Sequence, residues 1–179
     1  AQEELALSAK PEWSPETRLP NHSQYIGVLG YGFSTFGDLF TNRQLVALNT
    51  FSDLVHDVRA KIEVDALAGG LSSDTKPIRD GGKGAIAYAD SVCVYLAMAI
   101  SRLSDIQNAL CMWESSKTQV RHLVTRHAIP MLWDYAEGGM FSGSAGDYKV
   151  SLNSIVRVLN RFVPAKSGSE IQHDAQTVE

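Results

Sequence analysis

Apolar residues recur along this chain at helical spacing in several stretches, separated by segments rich in glycine, serine and proline. The first stretch begins with TNRQ (41–44), a capping-box pattern in which Thr41 and Gln44 each satisfy a backbone amide of the other. Apolar positions then recur every three or four residues as far as Ile62. This pattern predicts a helix over residues 41–66 that stops at Gly69 and Gly70.

Three further helices are predicted by the same periodicity. The most strongly patterned segment, residues 85–110, carries alanines that permit close approach of another helix. SKTQ (116–119) repeats the capping-box pattern and predicts a helix to about residue 128. Asp147 is placed to cap a last helix through residue 162. With a short turn at residues 131–137, the sequence predicts a mainly α fold, a bundle of about four to five helices.

The loops and ends define the expected domain organisation. Residues 1–30 contain Pro11, Pro15 and Pro20 and are expected to lead into a helical domain over residues 31–166. Within that domain residues 68–84, rich in glycine, serine and aspartate, are expected to form a mobile loop. Residues 167–179 form a tail with a short strand-like piece that has nothing to pair with. The chain does not begin with methionine, and we expect either a piece of a longer protein or a processed start.

Composition narrows the class of protein. The 179 residues carry a net charge of −4 and a pI near 5.7, which argues against nucleic-acid binding by bulk charge alone. Cys93 and Cys111 lack metal-ligand spacing and fit reduced intracellular thiols, so no metal site is expected. The longest apolar run, residues 92–100, is short for a membrane span. A cytoplasmic protein without membrane contact is therefore expected.

Individual polar and aromatic residues offer little chemistry by themselves. The GGKG motif (81–84) lacks both a preceding strand and a following serine or threonine, so it does not predict a Walker loop. Asp90 and Asp105 are expected on a solvated helix face, and His127 on the apolar face of the 116–128 helix, where burial is expected. The tryptophans at 13, 113 and 133 adjoin apolar stripes or turns, and packing in the core or at its edge is favoured over base stacking.

Four blocks of the sequence resemble one family, the large adenine-specific DNA methylases that contain a zinc ribbon. The blocks are YGFSTFGDLFTNRQLVALNTFSDLV (31–55), GGKGAIAYADSVCVYLAMAISRLSD (81–105), RHAIPMLWDYAE (126–137) and FSGSAG (141–146). They follow the family's order and its approximate spacing. The resemblance covers most of the chain from about residue 12 onward.

This resemblance implies a helical insertion of a larger α/β methyltransferase that transfers methyl from S-adenosylmethionine to adenine N6. The family's cofactor loop and its Pro-Pro-Tyr catalytic motif are both absent from these residues. The chain resembles the region between them, which implies no catalytic residue, no cofactor held by this chain alone, and inactivity in isolation. The resemblance assigns one cofactor-facing position, Asp174, by similarity to the family's strand that ends in an acidic residue.

A methylase must also hold the rest of the duplex while the target base leaves the stack. Phosphate contacts suited to a helical insertion are Arg43 at a helix N-terminus, Lys83 in the glycine-rich loop, and the basic group Lys117, Arg121 and Arg126. The expected partners are therefore DNA and the remainder of a methylase chain, in a restriction-modification or defence setting. The alternative to DNA contact is that these residues form a solvated basic surface.

Two other classes of function remain open from the residues. The chain could be a stand-alone helical interaction module, or a subunit that completes a split methylase or a defence complex. It would dock through the apolar remainder of the 85–110 helix or through the strand-like tail. A small hydrolase that uses His122 or His127 with Asp134 is a weaker alternative, because no nucleophile motif accompanies them.

Overall fold

The computed structural model describes residues 4, 8–22, 24–124, 127–144 and 146–162. Three α-helices lie in this part of the chain: α1 (Asn42–Ala68), α2 (Ala85–Ile106) and α3 (Tyr148–Leu159). A two-stranded antiparallel sheet joins β1 (Trp113–Glu114) to β2 (Gln119–Val120), and short 3-10 helices lie at Gly27–Tyr31, Gly37–Leu39 and Ile78–Asp80. The fold is therefore mainly α, as predicted, but the described part has three α-helices instead of four to five.

Helix α1 begins where the sequence indicates. The Gln44 amide donates to Thr41 Oγ1 at 3.4 Å, and the Thr41 amide donates to Gln44 Oε1 at 2.9 Å, which completes the capping box. The helix ends at Ala68, two residues beyond the predicted end, and the following Gly70 has a φ of +93° that favours glycine. The start of α1 therefore depends on local side-chain hydrogen bonds, and its end on the glycines that follow it.

Helices α1 and α2 form an antiparallel hairpin. Arg59 pairs with Asp90 at 2.7 Å, and the Cys93 thiol lies 3.6 Å from the Val55 carbonyl, so α2 runs back along α1. Helix α3 packs on the α2 side of this pair, where the Tyr148 hydroxyl donates to the Leu96 carbonyl at 3.4 Å. Asp90 therefore ties two helices together, and its interpretation as part of a solvated face is wrong.

The buried face of α2 agrees in part with the stripe that periodicity predicts, which runs from Tyr88 through Val92 and Ala99 to Leu103 and Ile106. Small residues, Ala85, Ala89 and Ala99, are buried together with Leu103, and they allow the close approach that the sequence suggested. Tyr88, which periodicity places on the core stripe, is 50% exposed. Both sides of α2 are apolar, so periodicity could not decide which of them faces the core.

Helix α2 ends at Ile106, four residues before the predicted end. Asn108 stops it, because its amide nitrogen donates to the Ser104 and Asp105 carbonyls and its oxygen accepts from the Leu110 amide. A side chain that competes for backbone groups in this way ends a helix despite continuing apolar periodicity.

By length and composition, α2 could also cross a membrane. Its mean hydropathy over an 18-residue window is 1.4, and 22% of that window is buried. A core helix of a soluble protein satisfies the same criterion, so this is weak evidence. Within the described residues α2 alone satisfies it.

The predicted helix over residues 116–128 is wrong, because the β1–β2 hairpin occupies its first half. Glu114 accepts hydrogen bonds from Ser116, Gln119 and Arg121, and Thr118 adopts a left-handed φ of 53°. These side chains close a tight turn instead of capping a helix. With no helix there, His127 has no apolar face to join, and it is exposed.

The main apolar core is formed by residues that precede α1 and by one residue, Leu110, that follows α2. Leu19, Ile26, Val28, Leu39 and Leu110 form one buried cluster, beside a smaller one of Ile106, Cys111 and Val120. Burial raises the pKa of the Cys111 thiol to about 11, which leaves it neutral. The segment that leads into α1 thus contributes to the core.

The loop between α1 and α2 folds back on itself. The Asp74 carboxylate accepts from the amides of Lys76 and Lys83, and the Ala85 amide donates to the Ser72 carbonyl. A Cβ on Gly82 would lie 1.9 Å from the Lys76 carbonyl oxygen, so this glycine allows a close backbone approach. The mobility predicted for this loop stays a prediction.

Candidate functional site

Arg43, at the N-terminal end of α1, is bound by Tyr135 and Glu137, which lie in the segment before α3. Its Nε donates to the two carboxylate oxygens of Glu137 at 3.0 and 2.9 Å, and its Nη2 donates to Glu137 and, at 3.1 Å, to the Tyr135 hydroxyl. The hydrogen bond to Glu137 raises the pKa of Arg43, which stays charged. The guanidinium thus joins two segments almost a hundred residues apart in sequence.

Gln107 holds the next part of the same segment. Its Nε2 donates to the carbonyls of Gly138 at 2.6 Å and Gly146 at 2.9 Å, which fixes the amide orientation because a flipped oxygen would face two carbonyls. The side chain is fully buried, and its Oε1 has no protein partner in the described part of the chain. Gly146, with a φ of +99°, comes so close that a Cβ would lie 3.0 Å from Gln107 Nε2.

Beside these contacts lies an open groove of about 490 Å³. It is lined by residues from α1, from the end of α2 and from the loop that precedes α3: Arg43, Ala47, Gln107, Glu137, Gly138, Gly139, Met140 and Phe141. Phe51 of α1 contacts both ends of this loop, since its ring lies 5.8 Å from that of Phe141 and stacks at 4.7 Å on that of Tyr148. The groove is therefore built by packing between distant segments.

The loop before α3 is closed by Asp147. Its carboxylate accepts at 2.6 Å from the amides of Gly143 and Lys149, so it caps α3 as predicted and also holds the preceding turn. The hydrogen bond from Gly143 is the main reason why the pKa of Asp147 lies below its usual value.

Two exposed aromatic rings lie along the same crossing segment. Trp133 packs edge-to-face on Tyr31, with ring centroids 5.0 Å apart and an interplanar angle of 83°. The residues are 76% and 55% exposed. Trp13 and Trp113 are exposed as well, at 64% and 49%. The expectation that the three tryptophans are buried or half-buried in the core is wrong, since all three are exposed.

The predicted DNA contacts lie at separate places on the fold. Lys117 and Arg121 flank β2 and share Glu114 as a partner, at 3.7 and 2.9 Å. Lys83 lies just before α2, on the side of the C-terminal end of α1. Arg43 lies at the other end of α1, and the 27 residues of this helix span about 40 Å. Arg126 and Asp174 lie outside the described residues. Contact of any of these residues with DNA, and of Asp174 with a cofactor, stays a prediction.

The histidines do not assemble a hydrolytic site in the described part of the chain. His122 Nδ1 lies 2.7 Å from Asp105 Oδ2, and the other Asp105 oxygen accepts from the Val124 amide at 2.7 Å. Asp105 thus anchors the segment after the hairpin to α2. Among the described residues, neither His122 nor His127 has a hydrogen bond or an ion pair with Asp134. Within the described residues, no group of three or more histidine, cysteine, aspartate or glutamate side chains could hold a metal ion.

Sequence reasoning singled out Arg43 but missed Gln107 and Glu137, which build the groove with it. Gln107 has a detectable signal, since it is the first polar residue with an amide after a long apolar stripe. Glu137 and the Tyr31–Trp133 pair have none, because their partners are far away in sequence. No family model, no curated protein and no solved structure matches the chain.

Proposed function

We propose that this chain is a non-catalytic helical part of an S-adenosylmethionine-dependent DNA adenine N6-methyltransferase. One observation supports it above the others: segments that resemble the methylase family meet at one groove. Arg43 belongs to the first block, Glu137 to the third and Phe141 to the fourth, while Gln107 follows the second by two residues.

In this proposal the chain is a structural scaffold that also contacts DNA. Arg43, Lys83 and the hairpin pair Lys117 and Arg121 are the described candidates, and they contact phosphates without reading bases. The 40 Å along α1 corresponds to about twelve steps of a DNA strand, so Arg43 and Lys83 would contact separate parts of one duplex. The cofactor and the catalytic residues belong to other parts of the enzyme, which we place in the cytoplasm.

Duplex binding under a salt titration tests the DNA contact. We expect Arg121→Gln to weaken binding of a 20-base-pair duplex and to reduce the slope of log affinity against log salt by about one, because one phosphate contact is lost. Lys61→Gln is the matched control, because this substitution removes the same charge. Lys61 pairs with Asp65 on the exposed face of α1. Equal effects of the two substitutions would refute a specific contact by Arg121.

Glu137 provides a test of opposite sign. Because it occupies the Arg43 guanidinium, Glu137→Gln should strengthen duplex binding and increase the salt slope. Glu63→Gln is its control: it removes the same charge from the far half of α1, where Glu63 lies 3.9 Å from Arg59. If both substitutions raised the affinity equally, only net charge would be involved.

The reading frame that contains this sequence tests the methylase assignment itself. The proposal requires a cofactor-binding segment upstream and a Pro-Pro-Tyr segment downstream, either in the same chain or in a partner subunit. A frame and a neighbouring set of genes without either segment would overturn it.

A second function, a helical interaction module, is favoured by a different observation. Large apolar side chains are exposed on two neighbouring helices: Tyr88, Val94, Tyr95 and Met98 on α2, and Val150, Val156, Val158 and Leu159 on α3. Exposed apolar surface of this extent marks contact sites. Size-exclusion chromatography with light scattering tests it: a monomer that ignores the catalytic part of a methylase added in trans would exclude this alternative.

A further inference from the structure

A cleft of about 640 Å³ lies along the C-terminal half of α2, between this helix and the segments 36–40 and 123–129. Six residues of these two segments line it, and all of them are apolar: Phe36, Leu39, Phe40, Leu123, Val124 and Ile129. Leu39 belongs to the main buried core, so the cleft opens directly above that core. Clefts of this size with a mainly apolar lining are typical of binding sites.

The backbone that lines this cleft has no free amide to offer. All six amides of these residues donate to acceptors within the chain, at distances between 2.7 and 3.3 Å. Leu123 and Val124, for example, donate to the carbonyl and to the carboxylate of Asp105. An extended peptide would therefore find no donor for its carbonyls here, whereas a helix satisfies its own backbone groups. The cleft thus favours a helix over a strand.

The apolar surface continues beyond the cleft along α2. Val94, Met98, Ser101 and Asp105 follow one another at intervals of four, three and four residues, which is the spacing of a seam between two packed helices. This seam is about 17 Å long, or three helical turns. Val94 and Met98 are 50% and 53% exposed. A small molecule in the cleft would leave Val94 uncovered, whereas a helix of three or more turns covers the whole seam.

The free charge at this surface is positive. Arg102 lines the cleft and is exposed, and in the described part of the chain its guanidinium has neither a hydrogen bond nor an ion pair. Asp105 lines the cleft as well, but one of its oxygens contacts His122 and the other accepts from the Val124 amide. An acidic side chain on a docked helix would pair with Arg102, whereas a basic one would meet an uncompensated cation.

We propose that the seam of α2 and the adjoining cleft dock an amphipathic helix that carries acidic residues beside its apolar face. The helix belongs to another part of the methyltransferase, so this inference rests on the proposed function. Apolar residues of the docked helix cover Val94 and Met98 and enter the cleft, and a carboxylate pairs with Arg102.

A displayed library of alanine-based helices of about 18 residues, randomised along one face, tests this surface. Selection on the wild-type chain should enrich apolar residues at i, i+4 and i+7, with glutamate or aspartate beside them. Val94→Glu should weaken binding of an enriched peptide about tenfold in anisotropy titrations, because it places a carboxylate in the apolar contact. Val64→Glu is the matched control, since Val64 is 64% exposed on α1 and receives the same charge. The control should change the affinity by less than about twofold.

An exchange of charges tests the contact with Arg102. Arg102→Glu should weaken binding of the same peptide, and replacement of the acidic residues of the peptide by lysine should restore binding to this variant. Selection of no helix, selection of basic helices, or equal losses in Val64→Glu and Val94→Glu would overturn the proposal. Failure of the lysine peptide to bind Arg102→Glu would also overturn it.

Duplex binding by the same proteins separates this inference from the proposed function. A chain that binds no helical peptide but binds a duplex through Arg121 would refute the docking surface and leave the proposed function in place. A chain that binds neither would refute both. Binding to vesicles that contain phosphatidylserine, lost in Val94→Glu while no peptide is selected, would assign the surface to a membrane and overturn the proposal. Circular dichroism confirms the fold of each variant, and each substituted side chain is exposed.

Discussion

At the scale of the residue, Gln107 connects the end of α2 to two loop carbonyls that lie more than thirty residues away. It is fully buried, although it follows a helix whose other buried residues are apolar. Its amide donates to the half-buried Gly138 carbonyl and to the Gly146 carbonyl, which would otherwise be buried without a donor. A buried carbonyl that lacks a hydrogen-bond donor lowers the free energy of unfolding.

Gln107→Leu should therefore lower the free energy of unfolding by about 2 kcal/mol or more, because two carbonyls lose their donor. Urea denaturation followed by circular dichroism measures this. Gln119→Leu is the control, since that amide is half-buried and makes one long contact with Glu114, at 3.3 Å. A loss no larger than that of the control would show that Gln107 does not hold the loop.

Asp147 makes the stability depend on pH. Its pKa in the folded chain lies below 3.8, the ordinary value, so its charged form stabilises the fold above about pH 4. This contribution is lost as the pH falls through the lowered pKa. Asp147→Asn should thus be less stable than wild type at pH 7, and the difference should shrink towards pH 2.5. A difference in unfolding midpoint that is independent of pH would contradict this.

At the scale of the element, capping chemistry predicted helices correctly only where the following residues supported it. TNRQ at 41–44 begins α1 and is followed by a long run of helix-forming residues. SKTQ at 116–119 has the same pattern, yet it forms a hairpin because Glu114 gathers the side chains of the turn and Val120 enters the core. A cap is a local signal that tertiary contacts can overrule.

The Thr41 cap can be measured on its own. Thr41→Ala removes the acceptor for the Gln44 amide and should cost about 1 kcal/mol of unfolding free energy. Thr50→Ala in the same helix is the control, because that hydroxyl bonds only to the Val46 carbonyl within the helix and should change stability by less than about 0.5 kcal/mol. Equal effects would mean that the capping box does not stabilise α1.

At the scale of the whole molecule, the chain pairs a well-defined core with broad apolar surfaces on α2 and α3. The buried residues concentrate where α1 begins, where α2 ends and in the segments beside them. The middle of α2 instead exposes tyrosine, valine and methionine. Under the function that we propose, these apolar surfaces would be covered by other parts of the methyltransferase.

The whole chain should not bind S-adenosylmethionine by itself, because the family's cofactor loop is absent from its sequence. Isothermal titration of the purified chain with the cofactor should give no binding heat at micromolar concentrations. A control titration with a complete adenine methyltransferase establishes the sensitivity. Micromolar affinity for this chain would contradict the division of labour that we propose.

The sequence by itself determined the mainly α class, the start of α1, the start of α2 and the cap of α3, because each depends on residues within a few positions of one another. Only the tertiary structure decided which face of α2 is buried, that residues 113–120 form a hairpin, and that Arg43, Gln107 and Glu137 surround one groove. Those outcomes depend on contacts between residues distant in sequence. A periodic pattern in a single segment carries no information about its partner.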